Sequence, residues 1–230
     1  MPRKNIVFVI VEGPSDEDAL GVILNRFYHN NAVYVHVMHC DITTKRGVDQ
    51  GNIVAKVGDL VKDYAKNNSF RQSDFCRIIH IADMDGAFIP NDCIIENVKA
   101  KKPLYSATEI QTNNMVAIKD RNQRKRDNLN RLLSISEIWK IPYQIFYMSC
   151  NLDHALYNNL NITDKEKEAN AVRFAQKYRD DIPAFLKFIS SSDFSVTNGY
   201  IPSWKFIKAG LHSLERHTNL GICFEQDLKT

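Results

Sequence analysis

Apolar residues in the first third of the chain fall in three short runs, each followed by a polar stretch or a segment of helical spacing. Residues 5–11, N-I-V-F-V-I-V, are apolar at almost every position. That is the pattern of a strand covered on both faces in a parallel sheet. Ser15 can cap a following helix, in which Ala19, Leu20, Ile23, Leu24 and Phe27 recur at intervals of three and four. Residues 32–39, A-V-Y-V-H-V-M-H, predict a second strand. A turn-rich stretch over 41–52 leads into a helix bearing Ile53, Val57, Leu60, Val61 and Tyr64. Residues 75–82, F-C-R-I-I-H-I-A, predict a third strand that ends at Asp83.

From Gly86 to about Ser136 the periodicity is lost, although 121–133 suit a basic helix. A connection of that length is either functional or a small insertion. Tyr143–Met148 predicts another core strand, ending at Ser149, and a helix should run from Asp153 to Leu160. Thr163 and Glu166 form a capping box before a helix through Val172, Phe174, Ala175 and Tyr178. Pro183 opens the next helix, and Ser203–Arg216 predicts a last one. Strand–helix alternation followed by helices predicts an α/β fold with a mainly parallel central sheet. The expected division is a core over 1–160, with an insertion at about 87–140, and a helical C-terminal extension over 161–230.

Composition adds a compartment more than a chemistry. The 230 residues are 44% hydrophobic and 25% charged, an ordinary globular balance. No apolar run approaches the ~20 residues of a membrane span, and the apolar stretch near the start is too short for a secretory signal. The five cysteines are odd in number and scattered, without a C-x-x-C pair. They read as buried thiols, which excludes a disulfide framework or zinc site and leaves a cytoplasmic chain as the expectation. The net charge of +3 is small, but 119–126 read K-D-R-N-Q-R-K-R, five basic residues against one acid. Lys119, Arg121, Arg124, Lys125 and Arg126 either line a solvated helix face or form a stripe that contacts nucleic-acid phosphates.

Acids mark the strand ends. The first strand runs into V-E-G-P-S-D, with Glu12 at its tip and Asp16 in the first turn of the next helix; the third runs into A-D-M-D-G, with Asp83 and Asp85. Ligand crevices of open parallel sheets lie beyond the carboxyl ends of the strands. Several acids delivered to one such edge need cations, and their oxygens suit Mg²⁺ or Mn²⁺. The plainer alternative is that each acid caps a helix or steadies its dipole.

The two motifs V-E-G-P-S-D-E-D-A-L and I-H-I-A-D-M-D-G together resemble the Toprim domain of topoisomerases, bacterial primases, ribonuclease M5 and the overcoming-lysogenization-defect nucleases. The resemblance covers roughly residues 5–160 and implies a Rossmann-like core and phosphodiester hydrolysis with one or two Mg²⁺ (or Mn²⁺) ions. Glu12, Asp83 and Asp85 match the family's glutamate and D-x-D, and would be catalytic as well as metal-binding. The Glu12-to-Asp16 spacing resembles the overcoming-lysogenization-defect group, which implies Asp16 and Asp153 as further ligands. Gly51 stands for the family's glycine after its second strand. Lys45 and Arg46 are candidates for the scissile phosphate. No G-x-x-x-x-G-K-[ST] motif occurs, so the resemblance implies either a stand-alone Toprim protein or one that works with a separate ATPase partner, as in phage-defence systems that hold small Toprim proteins. The partners expected are therefore DNA or RNA, an ATPase and, for assembly, a second copy in a homodimer, with no membrane.

Two rival readings remain. D-M-D-G also resembles the nucleophile loop of haloacid-dehalogenase phosphatases, with Asp83 attacking phosphorus; Ala87 replaces the usual Thr there and V-E-G-P-S-D is left unexplained. The other rival is a non-catalytic Toprim sensor or binding subunit.

Overall fold

The structure, a computed structural model, describes residues 5–29 and 33–227. In chain order its elements are β1 (Asn5–Val11), α1 (Pro14–His29), β2 (Val33–His39), α2 (Ile53–Asn67), β3 (Phe75–Asp83), β4 (Ile94–Glu96), β5 (Leu104–Tyr105) and β6 (Ile110–Thr112). They continue with α3 (Met115–Leu133), β7 (Glu137–Ile138), β8 (Ile141–Ser149), α4 (Leu152–Tyr157), α5 (Asp164–Tyr178), α6 (Ile182–Ser191), α7 (Tyr200–Ile207), β9 (His217–Thr218) and α8 (Gly221–Asp227). Ala32, expected in the second strand, lies outside the described residues. The fold is α/β, with a mixed sheet whose central strands are parallel. Among the described residues no helix is long and apolar enough to cross a membrane.

The described residues form two compact units interleaved in sequence. The first lies within Met1–Ala82, Asp127–Ile145 and Ala171–Ile182, and the second within Asp83–Arg126, Phe146–Asn170 and Pro183–Thr230.

In the first unit the strand order is β2-β1-β3-β8-β7. β1 pairs in parallel with both neighbours, Val7 with Val35 on one side and Ile10 with His80 on the other. Ile6 to Val11 are all buried, so both faces of β1 are covered, which explains why its apolar run has no alternation. Each such side chain contributes roughly 1.5–3 kcal/mol relative to exposure. α1 buries Ala19, Leu20, Ile23 and Leu24, and α2 buries Ile53, Val57 and Val61, the stripes that their spacing predicts. His80 is a core residue, its Nδ1 2.8 Å from the Tyr143 hydroxyl. Because β1 and β3 are parallel neighbours, the chain leaves β1 after Val11 and β3 after Ala82 at the same sheet edge.

The second unit contains what the sequence leaves as an unpatterned connection. Strands of two or three residues form a small sheet, β4-β6-β5, over a core of Ile89, Ile94, Ile110, Ile118, Cys150 and Leu214. α3 starts at Met115, six residues before the expected basic helix, where the Asn114 side chain accepts the Ala117 amide. α4 stops at Tyr157, because Asn158 turns left-handed at φ +56°. The helix expected over Ser203–Arg216 is only Tyr200–Ile207; Gly210, at φ +54°, lies in the turns that replace the rest.

Candidate active site

The D-M-D-G turn after β3 is pinned from several directions within the second unit. Asp85 has φ +50° and Gly86 φ +65°. Asp tolerates that region through local hydrogen bonding, whereas a side chain at Gly86 would not fit: its Cβ would lie 2.6 Å from Leu214 Cδ2. The Asp85 amide donates to the Cys150 carbonyl at 2.6 Å, and the Gly86 amide to the Ser213 carbonyl at 3.0 Å.

α3 grips the same turn. Arg121 Nη2 donates to the Asp85 carbonyl (2.8 Å), Asn122 Nδ2 to the Gly86 carbonyl (3.2 Å) and Arg126 Nη1 to the Ala87 carbonyl (3.1 Å). Lys125 Nζ donates to Asp85 Oδ2 at 2.5 Å, and the lysine side chain is 0% exposed. These four residues sit at i, i+1, i+4 and i+5, which is one face of a helix. The basic run is therefore divided. Arg121, Lys125 and Arg126 are spent on the protein's own carbonyls and carboxylate, while Lys119 and Arg124 are half-buried elsewhere on the helix. Burial alone would raise the Asp85 carboxyl, but Lys125 and then Arg121 outweigh it and hold the group below the usual carboxylate range. Arg121 also reaches the Tyr105 hydroxyl (2.5 Å).

Asp83 and Asp85 line a cleft of about 310 Å³ in the second unit, together with Asp153, Asp164, Lys102 and Lys167. Asp83 Oδ1 accepts the Leu152 amide at the start of α4 (3.0 Å). Asp153 is buried, with Lys167 Nζ 3.5 Å from its Oδ2. Burial raises its carboxyl against the pull of Lys167. Asn151 caps α4 by accepting the His154 amide, and His154 Nδ1 accepts the Cys150 amide at 3.0 Å. Burial first, then Arg216 and His217, push His154 down to about 4, so it is neutral here. The Cys150 thiol is buried and raised well above its ordinary value, an inert core sulfur. Tyr105, Lys167 and Asn151 were not singled out by sequence reasoning. The capping box of Thr163 and Glu166 flagged the neighbourhood of Lys167, and the resemblance that implies Asp153 flagged that of Asn151.

The remaining predicted residues belong to the first unit. Glu12 Oε1 accepts the Thr43 hydroxyl (3.0 Å), and the Thr43 carbonyl accepts Asn128 Nδ2 (2.9 Å). Asp16, mostly buried, turns its Oδ2 back onto the Gly13 amide (2.9 Å), so it fixes the start of α1. Gly51 donates to Asp49 Oδ1 (2.9 Å). Lys45 and Arg46 are exposed on a second cleft, of about 380 Å³, shared with Lys56, Asp59 and Asp63. Among the described residues neither cation has an ion-pair partner.

Carboxylate oxygens are the donors that Mg²⁺ and Mn²⁺ prefer, and Asp83, Asp85 and Asp153 all line one cleft. As the side chains stand, no three His, Cys, Asp or Glu among the described residues gather closely enough to hold a metal. Asp85 and Asp153 each carry a lysine ammonium. Comparison of the chain with family models, with curated proteins and with solved structures gives no match.

Proposed function

We propose that the chain is a Toprim-type phosphodiesterase that hydrolyses DNA or RNA with Mg²⁺ or Mn²⁺, on a Rossmann-like core, and that the cleft of the second unit is its reaction site. The observation that carries this reading is the convergence of Asp83, Asp85 and Asp153 on one cleft with Lys102 and Lys167 beside them. Acids with adjacent cations are the set that phosphodiester hydrolysis uses: the acids for a metal ion, the cations for the phosphate.

Asp83 and Asp153 would hold the ion, with Asp85 beside them. When bound, the ion supplies Lewis-acid charge and makes a water more acidic. Lys102 and Lys167 offer positive charge to the phosphodiester anion. Lys125, Arg121 and Arg126 hold the 85–87 turn, and with it Asp85, in place. Lys45, Arg46, Lys119 and Arg124 remain as contacts for the nucleic-acid backbone. Glu12 and Asp16 keep their proposed roles on the strength of the sequence resemblance, as do the ATPase partner, the homodimer and the phage-defence setting.

The test sets polynucleotides against a small phosphomonoester. With Mg²⁺ or Mn²⁺ the protein should nick plasmid DNA or cut RNA and release no phosphate from the monoester. The reverse outcome would replace this reading with a phosphatase that uses Asp83 as nucleophile.

A further inference from the structure

We propose, on the nucleic-acid reading given above, that the turn over residues 97–102 is a phosphate track beside the cleft, with Lys99 and Lys101 as its contacts. Residues 97–103 read N-V-K-A-K-K-P, with three lysines in four positions and no acid. The turn leads straight into the cleft. Lys102 and Pro103 stand in the cleft wall, whereas among the described residues none of the basic run 119–126 does. Arg121, Lys125 and Arg126 of that run give their hydrogens to the 85–87 turn, so the helix keeps them from a ligand. Lys99, Lys101 and Lys102 are exposed, and among the described residues neither Lys99 nor Lys101 has an ion-pair partner.

Asn97 fixes the turn. Its amide donates to the Thr112 carbonyl (2.8 Å) and its side-chain nitrogen to Gln111 Oε1 (2.8 Å), which ties the turn to β6. Its side-chain oxygen accepts the Lys99 amide (3.1 Å) and its carbonyl the Ala100 amide (2.9 Å), so the chain reverses within four residues. Ala100 is buried between the exposed lysines and anchors the turn from within. Lys102 Nζ donates to the Ile162 carbonyl (3.3 Å), which secures the end nearest the cleft. The backbone is therefore ordered before a ligand arrives, and binding has only the lysine side chains left to immobilise. Lys99 and Lys102 are at most about 11 Å apart along the chain, close enough to engage neighbouring phosphates of one strand. Exposed ammonium groups of this kind act by charge and counterion release, without reading sequence.

The test follows binding of fluorescein-labelled single-stranded DNA, duplex DNA and RNA to the full chain, in EDTA, over a series of salt concentrations. Lys99→Ala combined with Lys101→Ala should weaken binding and lower the slope of log affinity against log salt by about two. Lys187→Ala combined with Lys205→Ala, at exposed positions of α6 and α7, removes the same charge and should keep the wild-type slope. A wild-type slope in the first variant would overturn the proposal, because the turn would then make no phosphate contact. Equal losses in the two variants would also overturn it, because net charge alone would then be acting. Either result leaves the nucleic-acid reading in place. A wild type that binds none of the three probes would overturn that reading, and the track with it. In cleavage, Lys99→Ala combined with Lys101→Ala should raise KM and leave kcat unchanged, since these lysines hold the strand away from the reacting atoms. A lower kcat at unchanged KM would contradict a binding role.

Discussion

Lys125 Nζ lies 2.5 Å from Asp85 Oδ2, across 40 positions of sequence, and its side chain is fully enclosed. Removing one partner of a buried pair costs more than the pair contributes, because the other charge stays behind. Lys125→Ala should therefore lower the unfolding free energy by about 3–5 kcal/mol in urea denaturation. Lys119→Ala, on the same helix but half-buried, should change it by no more than about 0.5 kcal/mol. Equal effects would mean that Lys125 is not the anchor of the turn.

Gly86 allows the same turn to close. An added methyl would meet Leu214 Cδ2 at 2.6 Å, and φ +65° disfavours any L side chain. Left-handed strain and overpacking together put Gly86→Ala at a loss of roughly 2–4 kcal/mol. A melting temperature equal to the wild type's would show that the turn relaxes freely.

β1, β2, β3 and β8 were legible because their apolar runs are long enough to show, as in β1, which is buried on both faces, and the amphipathic stripes of α1 and α2 followed from their spacing; the two-residue β7 left no such mark. The second unit was not. β4, β5 and β6 are two or three residues long, too short to show any period. The charge run at 119–126 was visible, but its direction was not, because the partners of Arg121, Lys125 and Arg126 lie some 35–40 residues earlier and no local spacing reveals them. Asp83 and Asp85 could be picked out as strand-end acids, whereas Lys102 and Lys167 reach the cleft only through the fold.

His154 makes stability fall in mild acid. Its native value of about 4 lies below the usual 6.5, so between these two values the unfolded chain binds the proton more tightly. Stability from this residue is complete above about pH 6.5, drains away as pH falls towards 4, and amounts to roughly 3 kcal/mol. Urea unfolding followed from pH 7 to pH 4 should show this slope in the wild type and a flatter one in His154→Gln. Parallel curves would contradict a buried neutral imidazole.

Lys45 and Arg46 are exposed and should act on nucleic acid through charge alone. Each phosphate contact adds roughly one to the slope of log affinity against log salt concentration. Lys45→Ala combined with Arg46→Ala should weaken oligonucleotide binding in EDTA and reduce that slope by about two. An unchanged slope would place the backbone contacts elsewhere.

The most direct test of the proposed site is Mg²⁺-dependent cleavage of plasmid DNA and total RNA by the wild type and by Asp83→Asn, with matched thermal transitions. Removing a metal-binding acid at the reacting centre should lower the rate at least about 100-fold, equivalent to about 2.7 kcal/mol of barrier, while the fold is kept. Cleavage by Asp83→Asn at the wild-type rate would contradict the assignment of this cleft as the place where the phosphodiester is cut.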